Sequence, residues 1–284
     1  MRGNFLRALH TASLFSINVG GKLLSLETPV VMGVINATPD SFYLHDEGAE
    51  AIRLRTMQML RDGADILDVG ACSTRPGYTA PDEREEMRRL REALKIVRQE
   101  NPQAIVSVDT FRSDVAKMCV REFGAQIIND ISGGALDKNM FKTVAELGVA
   151  YVLTHNAPIS ETSDAPFMAQ LLREMGSKVE ELHGIGVCDI IVDPGFGFNK
   201  TLDQNYIVMQ NLEVLHELNL PLLVGISHKS MIYKLLGITP GEALNGTTVL
   251  HTVALMKGAH ILRVHEVKEA QECIALTSKV KNKL

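Results

Sequence analysis

Three short stretches decide the fold: VVMGVI at 30–35, DILDV at 65–69 and AIVSV at 104–108. Each is β-branched and largely apolar, without the in–out alternation of a strand that keeps one wet face, so each reads as a strand buried on both sides. Runs of the same kind recur at 126–128, 150–153, 189–192, 222–226 and 261–264, which makes eight. Between them lie amphipathic stretches. One, at 81–100, opens with acidic residues and carries Met87, Leu90, Leu94 and Val97 on a single stripe. Eight strand-then-helix units predict an α/β fold, a (β/α)8 TIM barrel, with an open doubly wound sheet as the alternative. Ahead of the first run, SLFSINVGGKLLSLE at 13–27 reads as two strands around Gly20 and Gly21, a short N-terminal β-hairpin that could close the barrel floor. No low-complexity stretch or linker divides the chain. A single domain is expected over 1–284, with the barrel proper from about residue 29.

Composition narrows the function. At 45% hydrophobic and 22% charged, the 284 residues can bury one large core, which excludes disorder, collagen and small disulfide scaffolds. Aromatic residues are only 5%, with no Trp, so aliphatic side chains must build the interior. Lys and Arg number 29 against 34 Asp and Glu, for a net charge of −5 and no long run of one sign. That balance argues against a nucleic-acid surface, which needs a concentrated basic footprint, but leaves room for a small anion. Cys72, Cys119, Cys188 and Cys273 form no CxxC pair and fit reduced thiols. There is no secretory signal and no apolar run of about 18 residues, so a soluble cytoplasmic protein without a membrane segment is expected. The sequons at Asn36, Asn199 and Asn245 then carry no glycan.

In a barrel of this kind, chemistry sits at the C-terminal strand ends. Those ends read Asn36; Ser73, Thr74 and Arg75; Asp109; Asn129 and Asp130; His155; Asp193; Ser227, His228, Lys229 and Ser230; and Arg263 and His265. Asp109, Asn129 and Asp193 offer carboxylate and amide edges suited to a flat, hydrogen-bonding heterocycle; helix capping is the plainer reading of the two acids. Asn36, Arg263 and His265 suit an anion or a metal-bridged diphosphate, although Arg263 could simply pair with Glu266 at the surface. DPGFGF at 193–198 and SHKS at 227–230 read as loops able to close over a site. Phe198 could lie against a ring, and Lys229 precedes an apparent helix at 231–236. There is no phosphate-binding loop of the nucleotide type, no nucleophilic serine elbow and no metalloprotease helix.

Taken in order, NATPDSF at 36–42, STRPG at 73–77, SVDT at 107–110, INDISG at 128–133, DPGFGF, SHKS and RVH at 263–265 resemble the motifs of the dihydropteroate synthase family. The resemblance runs from about Asn18 to the last helix. It implies a folate-pathway transferase joining (7,8-dihydropterin-6-yl)methyl diphosphate to 4-aminobenzoate, with Mg2+ on the diphosphate and a homodimer built on the C-terminal helices. It further implies that Asp109, Asn129, Asp193 and Lys229 hold the pterin, with Asp109, Asp193 and Lys229 counted as catalytic. Asn36, Arg263 and His265 would bind the diphosphate, with Asn36 near the metal. Thr74, Arg75, Pro76, Phe198, Lys229 and Ser230 would form the aminobenzoate pocket.

The chain also departs from the family pattern. His228 stands where the family has Arg, exchanging a permanent fork of donors for an imidazole expected to be mostly neutral near pH 7. Thr154-His155-Asn156 replaces Met-His-Met, Ala71-Cys72 replaces Gly-Glu, and Tyr43-Leu44-His45-Asp46 replaces an acidic, Gly-rich stretch. Two other readings therefore stand beside the synthase: a divergent paralogue that binds pterin without efficient catalysis, and a pterin-dependent methyltransferase.

Overall fold

Inward and outward positions alternate along every strand, and that alternation builds two separate interiors. The computed structural model describes residues 15–37, 45–72 and 81–281. Eight parallel strands, β3 (Val30–Asn36), β4 (Ile66–Gly70), β5 (Ile105–Asp109), β6 (Ile127–Asp130), β7 (Ala150–Thr154), β8 (Ile190–Asp193), β9 (Leu223–Val224) and β10 (Ile261–Val264), pair in the order β8-β7-β6-β5-β4-β3-β10-β9. A parallel bridge between Val192 and Leu222, with the Val192 N–H donating to the Pro221 carbonyl at 2.9 Å, brings β8 back to the start of β9. The sheet thus curls into the expected barrel. β9 is shorter than the run at 222–226 suggests, because the chain already turns at Ile226, whose carbonyl accepts the Lys229 N–H at 3.1 Å.

Helices α1 (His45–Arg61), α2 (Glu83–Glu100), α3 (Ser113–Phe123), α4 (Met140–Leu147), α5 (Asp164–Gly184), α6 (Leu202–Gln210), α7 (Ser230–Leu236), α8 (Leu244–Met256) and α9 (Val267–Lys281) form the outer layer. Their ends are written locally. The Asp82 carboxylate accepts the Glu85 N–H at 2.8 Å at the start of α2, Thr201 and Gln204 make a reciprocal capping box on α6, and α3 closes on left-handed Gly124. The strands' outward residues, among them Val31, Leu67, Val106, Ile128, Tyr151 and Leu262, join these helices in the larger core. Among the described residues, no helix is long and apolar enough to cross a membrane. The stripe Val249, Val253, Leu255 and Met256 divides on α8: Leu255 is buried in the core, while Val249 and Met256 are exposed.

Inside the barrel, Val30, Met32, Ile66, Ile127, Val152, Ile191, Leu223 and Ile261 form an apolar lower layer. The hairpin of β1 (Ser16–Asn18) and β2 (Leu23–Ser25) sets Ile17, Val19 and Leu26 against it. The hairpin is therefore the barrel's stopper. Ile17 is 1% exposed, and Ile17→Ala should destabilise the protein by about 2–5 kcal/mol, as for other large-to-small changes in a packed core. Urea unfolding measures this, and a loss below about 1 kcal/mol would mean the hairpin is peripheral.

Candidate active site

Two residues further along the inward faces, the lining changes from apolar to charged. Asp68 lies in the middle of β4 and is wholly buried, next to Ser107 across the β4–β5 ladder. Arg263 of β10 reaches across the barrel to it: Nε donates to Asp68 Oδ2 at 2.7 Å, and Nη2 donates to Asp109 Oδ2 at 2.6 Å. Asn129 Nδ2 donates to the same Asp68 oxygen at 3.1 Å. Gly70 makes room for this arrangement, since a Cβ there would lie 3.1 Å from Asp109 Cβ. Burial pushes the Asp109 carboxyl up to about 7, with the Arg263 guanidinium pulling the other way. Burial opposes the charge on Arg263, but Asp68 and Asp109 outweigh it and raise its affinity for the proton. Arg263 therefore pairs with two interior acids and not with Glu266 at the surface. Asp109 does not cap α3 either; the Ser113 N–H there donates to Asp137 Oδ2 at 2.7 Å.

The β8 loop supplies the opposite wall. Asp193 Oδ1 accepts the Gly195 N–H at 2.7 Å, which tightens the turn into DPGFGF. Gly195 has φ +70°, and a Cβ there would lie 2.0 Å from the His155 carbonyl oxygen, so only glycine fits. Lys229 donates to the Phe196 carbonyl, and its ammonium stands 4.3 Å from the centroid of the Phe198 ring. Burial lowers Lys229 to about 8, although Asp193 and Asp109 favour its charged form. Burial raises Asp193, against the pull of Lys229 and Arg263. Arg263 thus bonds Asp109 directly, and Asp193 and Lys229 lie near enough to feel each other's charge and that of Arg263.

A second ammonium, which the sequence reading passed over, sits beneath the same loop. Lys200 donates to the carbonyls of His155, Gly195 and Phe198 at 3.1, 3.1 and 3.3 Å and lies 3.2 Å from His155 Nδ1. His155 Nε2 is 2.9 Å from Glu174. Burial and the Lys200 charge lower His155 to about 4. The imidazole is thus neutral near pH 7, accepting at Nδ1 and donating at Nε2. Beside this rim, a cavity of about 410 Å3 opens between the β7 end and α5, lined by residues including Leu153, His155, Asn156, Arg173, Glu174 and Lys178. Its lining includes Leu153 of the outer core, so part of this cavity lies between the barrel wall and α5.

At the third side, Asn36 ends β3 and is exposed. His265 follows β10, with Nδ1 2.9 Å from Ser227 Oγ. Ser230 opens α7 and is half-buried. Asn36, Asp109, Asn129, Asp193, Phe198, Lys229, Ser230, Arg263 and His265 all stand at strand ends or in the loops that follow them. Thr74, Arg75 and Pro76 lie outside the described residues, as does the Tyr43-Leu44 departure. Asp130 turns away from a binding role: its carboxylate accepts the Ser132 and Gly134 N–H groups at 2.8 and 2.9 Å and the Tyr151 hydroxyl at 2.8 Å. Asp68 Oδ1, Ser107 Oγ and Thr154 Oγ1 are buried without a hydrogen-bond partner among the described residues, the mark of a polar layer whose bonds the protein alone does not complete.

An acid-, amide- and cation-lined mouth on a parallel barrel has the chemistry to take a polar heterocycle with an anionic tail. The profile of the family described as pterin binding enzyme matches residues 32–265, and the chain belongs to that family. A dihydropteroate synthase of Clostridium beijerinckii is 37% identical over 92% of this chain and 98% of its own length. A Xanthomonas albilineans dihydropteroate synthase solved with 4-aminobenzoic acid superposes with a TM-score of 0.87 at 32% identity, covering 94% of this chain and 98% of that one. A Coxiella burnetii dihydropteroate synthase in complex with pteroic acid gives 0.86 at 29% identity, covering 95% and 100%.

Removing Asp68 would leave the Arg263 charge inside the barrel with half its compensation. Asp68→Ala should therefore cost about 3–5 kcal/mol of stability, the range for breaking a buried pair from one side. Denaturant unfolding tests this; a loss under about 1 kcal/mol would show that water reaches Arg263 freely.

Proposed function

We infer that the protein is a folate-biosynthesis transferase that condenses (7,8-dihydropterin-6-yl)methyl diphosphate with 4-aminobenzoate to give 7,8-dihydropteroate and diphosphate. The observation that carries this is its 37% identity, over nearly its whole length, to a dihydropteroate synthase. The 4-aminobenzoic acid and pteroic acid bound by its solved relatives support substrates of that chemistry here.

In this reading Asp109, Asn129, Asp193 and Lys229 hold the pterin edge, with Asp109, Asp193 and Lys229 closest to the chemistry. Arg263 and His265 receive the diphosphate. Thr74, Arg75, Pro76, Phe198 and Ser230 form the aminobenzoate pocket. The methylene C–O bond breaks, and its electron pair leaves with the diphosphate. The aniline nitrogen then gives its lone pair to the methylene carbon and releases a proton to solvent. No protein nucleophile is needed, because the electron-rich pterin carries the developing positive charge and preorganised cations meet the developing negative one. Arg263 suits that task, since its other two nitrogens are already fixed on Asp68 and Asp109 and its Nη1 has no partner among the described residues.

Among the described residues no group of three His, Cys, Asp or Glu could hold a metal. Mg2+ does not require one, for it keeps most of its waters and binds through one or two protein oxygens and substrate phosphates. The Asn36 amide oxygen, a hard donor at the mouth, fits that demand. When bound, Mg2+ would neutralise charge on the diphosphate. We further place the protein in the cytoplasm as one barrel domain, its four cysteines free, and paired as a homodimer through α8 and α9, where Val249, Met256, Leu276 and Val280 are exposed.

Purified protein with Mg2+, the pterin diphosphate and 4-aminobenzoate should release diphosphate and form dihydropteroate. Asp193→Asn should weaken pterin binding by about tenfold or more, as the buried edge meets the wrong donor pattern at a cost of ~1–3 kcal/mol. Pterin binding without turnover would favour the paralogue, and unchanged affinity in the variant would reject the pocket. Lys229 carries its charge below about pH 8. Turnover per enzyme and substrate should then fall as pH rises through that value, and Lys229→Arg should move the fall upward. A limb that stays in place would assign it to another group.

A further inference from the structure

Strands β5, β6 and β8 each bring one side chain to the pterin in the proposed function, Asp109, Asn129 and Asp193, while β7, which runs between β6 and β8, brings none. The inward residue of β7 at that height is Thr154. Ala150 and Val152 point into the apolar layer inside the barrel, whereas Tyr151 and Leu153 join the outer core. The period of two therefore carries Thr154 to the inside, one step above Val152. Asn129 follows inward Ile127, and Asp193 follows inward Ile191, by the same period. The ladder then fixes the neighbours: Val152 pairs in register with Asn129 on β6, and Thr154 pairs with Asp193 on β8. Thr154 thus shares a face with both and stands between them.

Thr154 is wholly buried, and its hydroxyl has no hydrogen-bond partner among the described residues. A buried hydroxyl left unpaired costs stability, and folded chains keep few of them. Packing alone does not call for one here. The Thr154 methyl lies against the β8 turn, 3.2 Å from where a Cβ on Gly195 would stand. A valine would supply the same methyl without the idle oxygen, and β7 uses valine one inward step below, at Val152. Asn129 and Asp193 are themselves only 2% and 7% exposed, so burial shields Thr154 from water without separating it from the groups that meet the ligand. Asp68 and Ser107 also carry unpaired buried oxygens, but Thr154 alone of the three stands between two of the pterin residues.

We propose that Thr154 is a further substrate-binding, specificity-determining residue: its hydroxyl takes a polar atom of the heterocycle between the Asn129 amide and the Asp193 carboxylate. The proposal rests on the reading of Asn129 and Asp193 as pterin ligands. With one O–H and two lone pairs, the hydroxyl donates to a ring nitrogen or accepts from a ring N–H, where an apolar side chain would ask only for bulk. Calorimetric titration of the full chain with a dihydropterin lacking the diphosphate, and thermal unfolding of the free chain, test this together. Thr154→Val keeps the shape and removes the hydroxyl. It should bind the dihydropterin about three- to tenfold more weakly. Its free-chain Tm should hold or rise by up to about 4 °C, since an unanswered buried hydroxyl has gone. Thr154→Ser keeps the hydroxyl and loses the methyl against Gly195, so it should bind within about threefold of the parent and unfold at a lower temperature. A purely structural role would move affinity and Tm together; here the two variants part them in opposite senses. Unchanged affinity in Thr154→Val, a fall in its Tm, or a loss of affinity in Thr154→Ser as large as in Thr154→Val each overturns the proposal. A parent protein that binds no dihydropterin overturns the pterin reading of Asn129 and Asp193 instead, and this inference with it.

Discussion

A guanidinium held inside a barrel between two carboxylates governs the rest of this molecule. Arg263 cannot sit among aliphatic side chains unless its charge is matched, and Asp68 and Asp109 match it at 2.7 and 2.6 Å. Those acids come from β4 and β5, whereas β10 pairs with β3 and β9. The ion network therefore ties strands that share no ladder hydrogen bonds. It fixes the shape of the mouth while the backbone fixes only its circumference. It also decides what the mouth can do, because each group in it is oriented before any ligand arrives and little reorganisation remains for the reaction.

The barrel can hold such a layer because its two ends are asymmetric. Below, the hairpin seals an aliphatic layer against water, which keeps the lower half a packed core. Above, every strand except β9 gives way to a loop within about two residues of its last polar side chain. Rigidity comes from the floor and chemistry from the rim. A charged layer placed lower would be stranded from any ligand, and one placed higher would be screened by solvent.

The strand ends were legible in the sequence because a polar residue at the end of an apolar run is conspicuous, and a barrel assigns such residues to one face. Asp109, Asn129, Asp193, Lys229 and Arg263 could all be read that way. Asp68 could not: it lies inside its run, and the run reads as uniformly buried. The signal was present in the period of two, which sets Ile66, Asp68 and Gly70 on the inward face, but interpreting it requires knowing which face is inward. Lys200 was missed, and Glu266 was given the wrong partner, for a different reason. Each lies in a loop, and its partners come from distant segments, so spacing carries no trace of the contact. The surface pair of Arg263 with Glu266 was the natural local reading, and it failed because the interior offered two acids where the exterior offered one.

The departures from the family pattern are compensated where they can be traced. Asn156, in place of an apolar Met, donates to the Ile131 carbonyl at 2.9 Å and accepts from Asn199 Nδ2 at 2.9 Å, so the loops after β6, β7 and β8 are stitched through one amide. Lys200 adds four contacts beneath the same loop, with His155 kept neutral to receive one of them. What the rim loses in soft apolar contact it regains as hydrogen bonds, which specify one loop geometry more tightly than a flexible thioether can. His228 follows the same logic, its ring held between the Pro240 carbonyl and Glu266. The substitutions thus alter how the mouth is held in place and, Thr154 apart, leave untouched the side chains that face its centre.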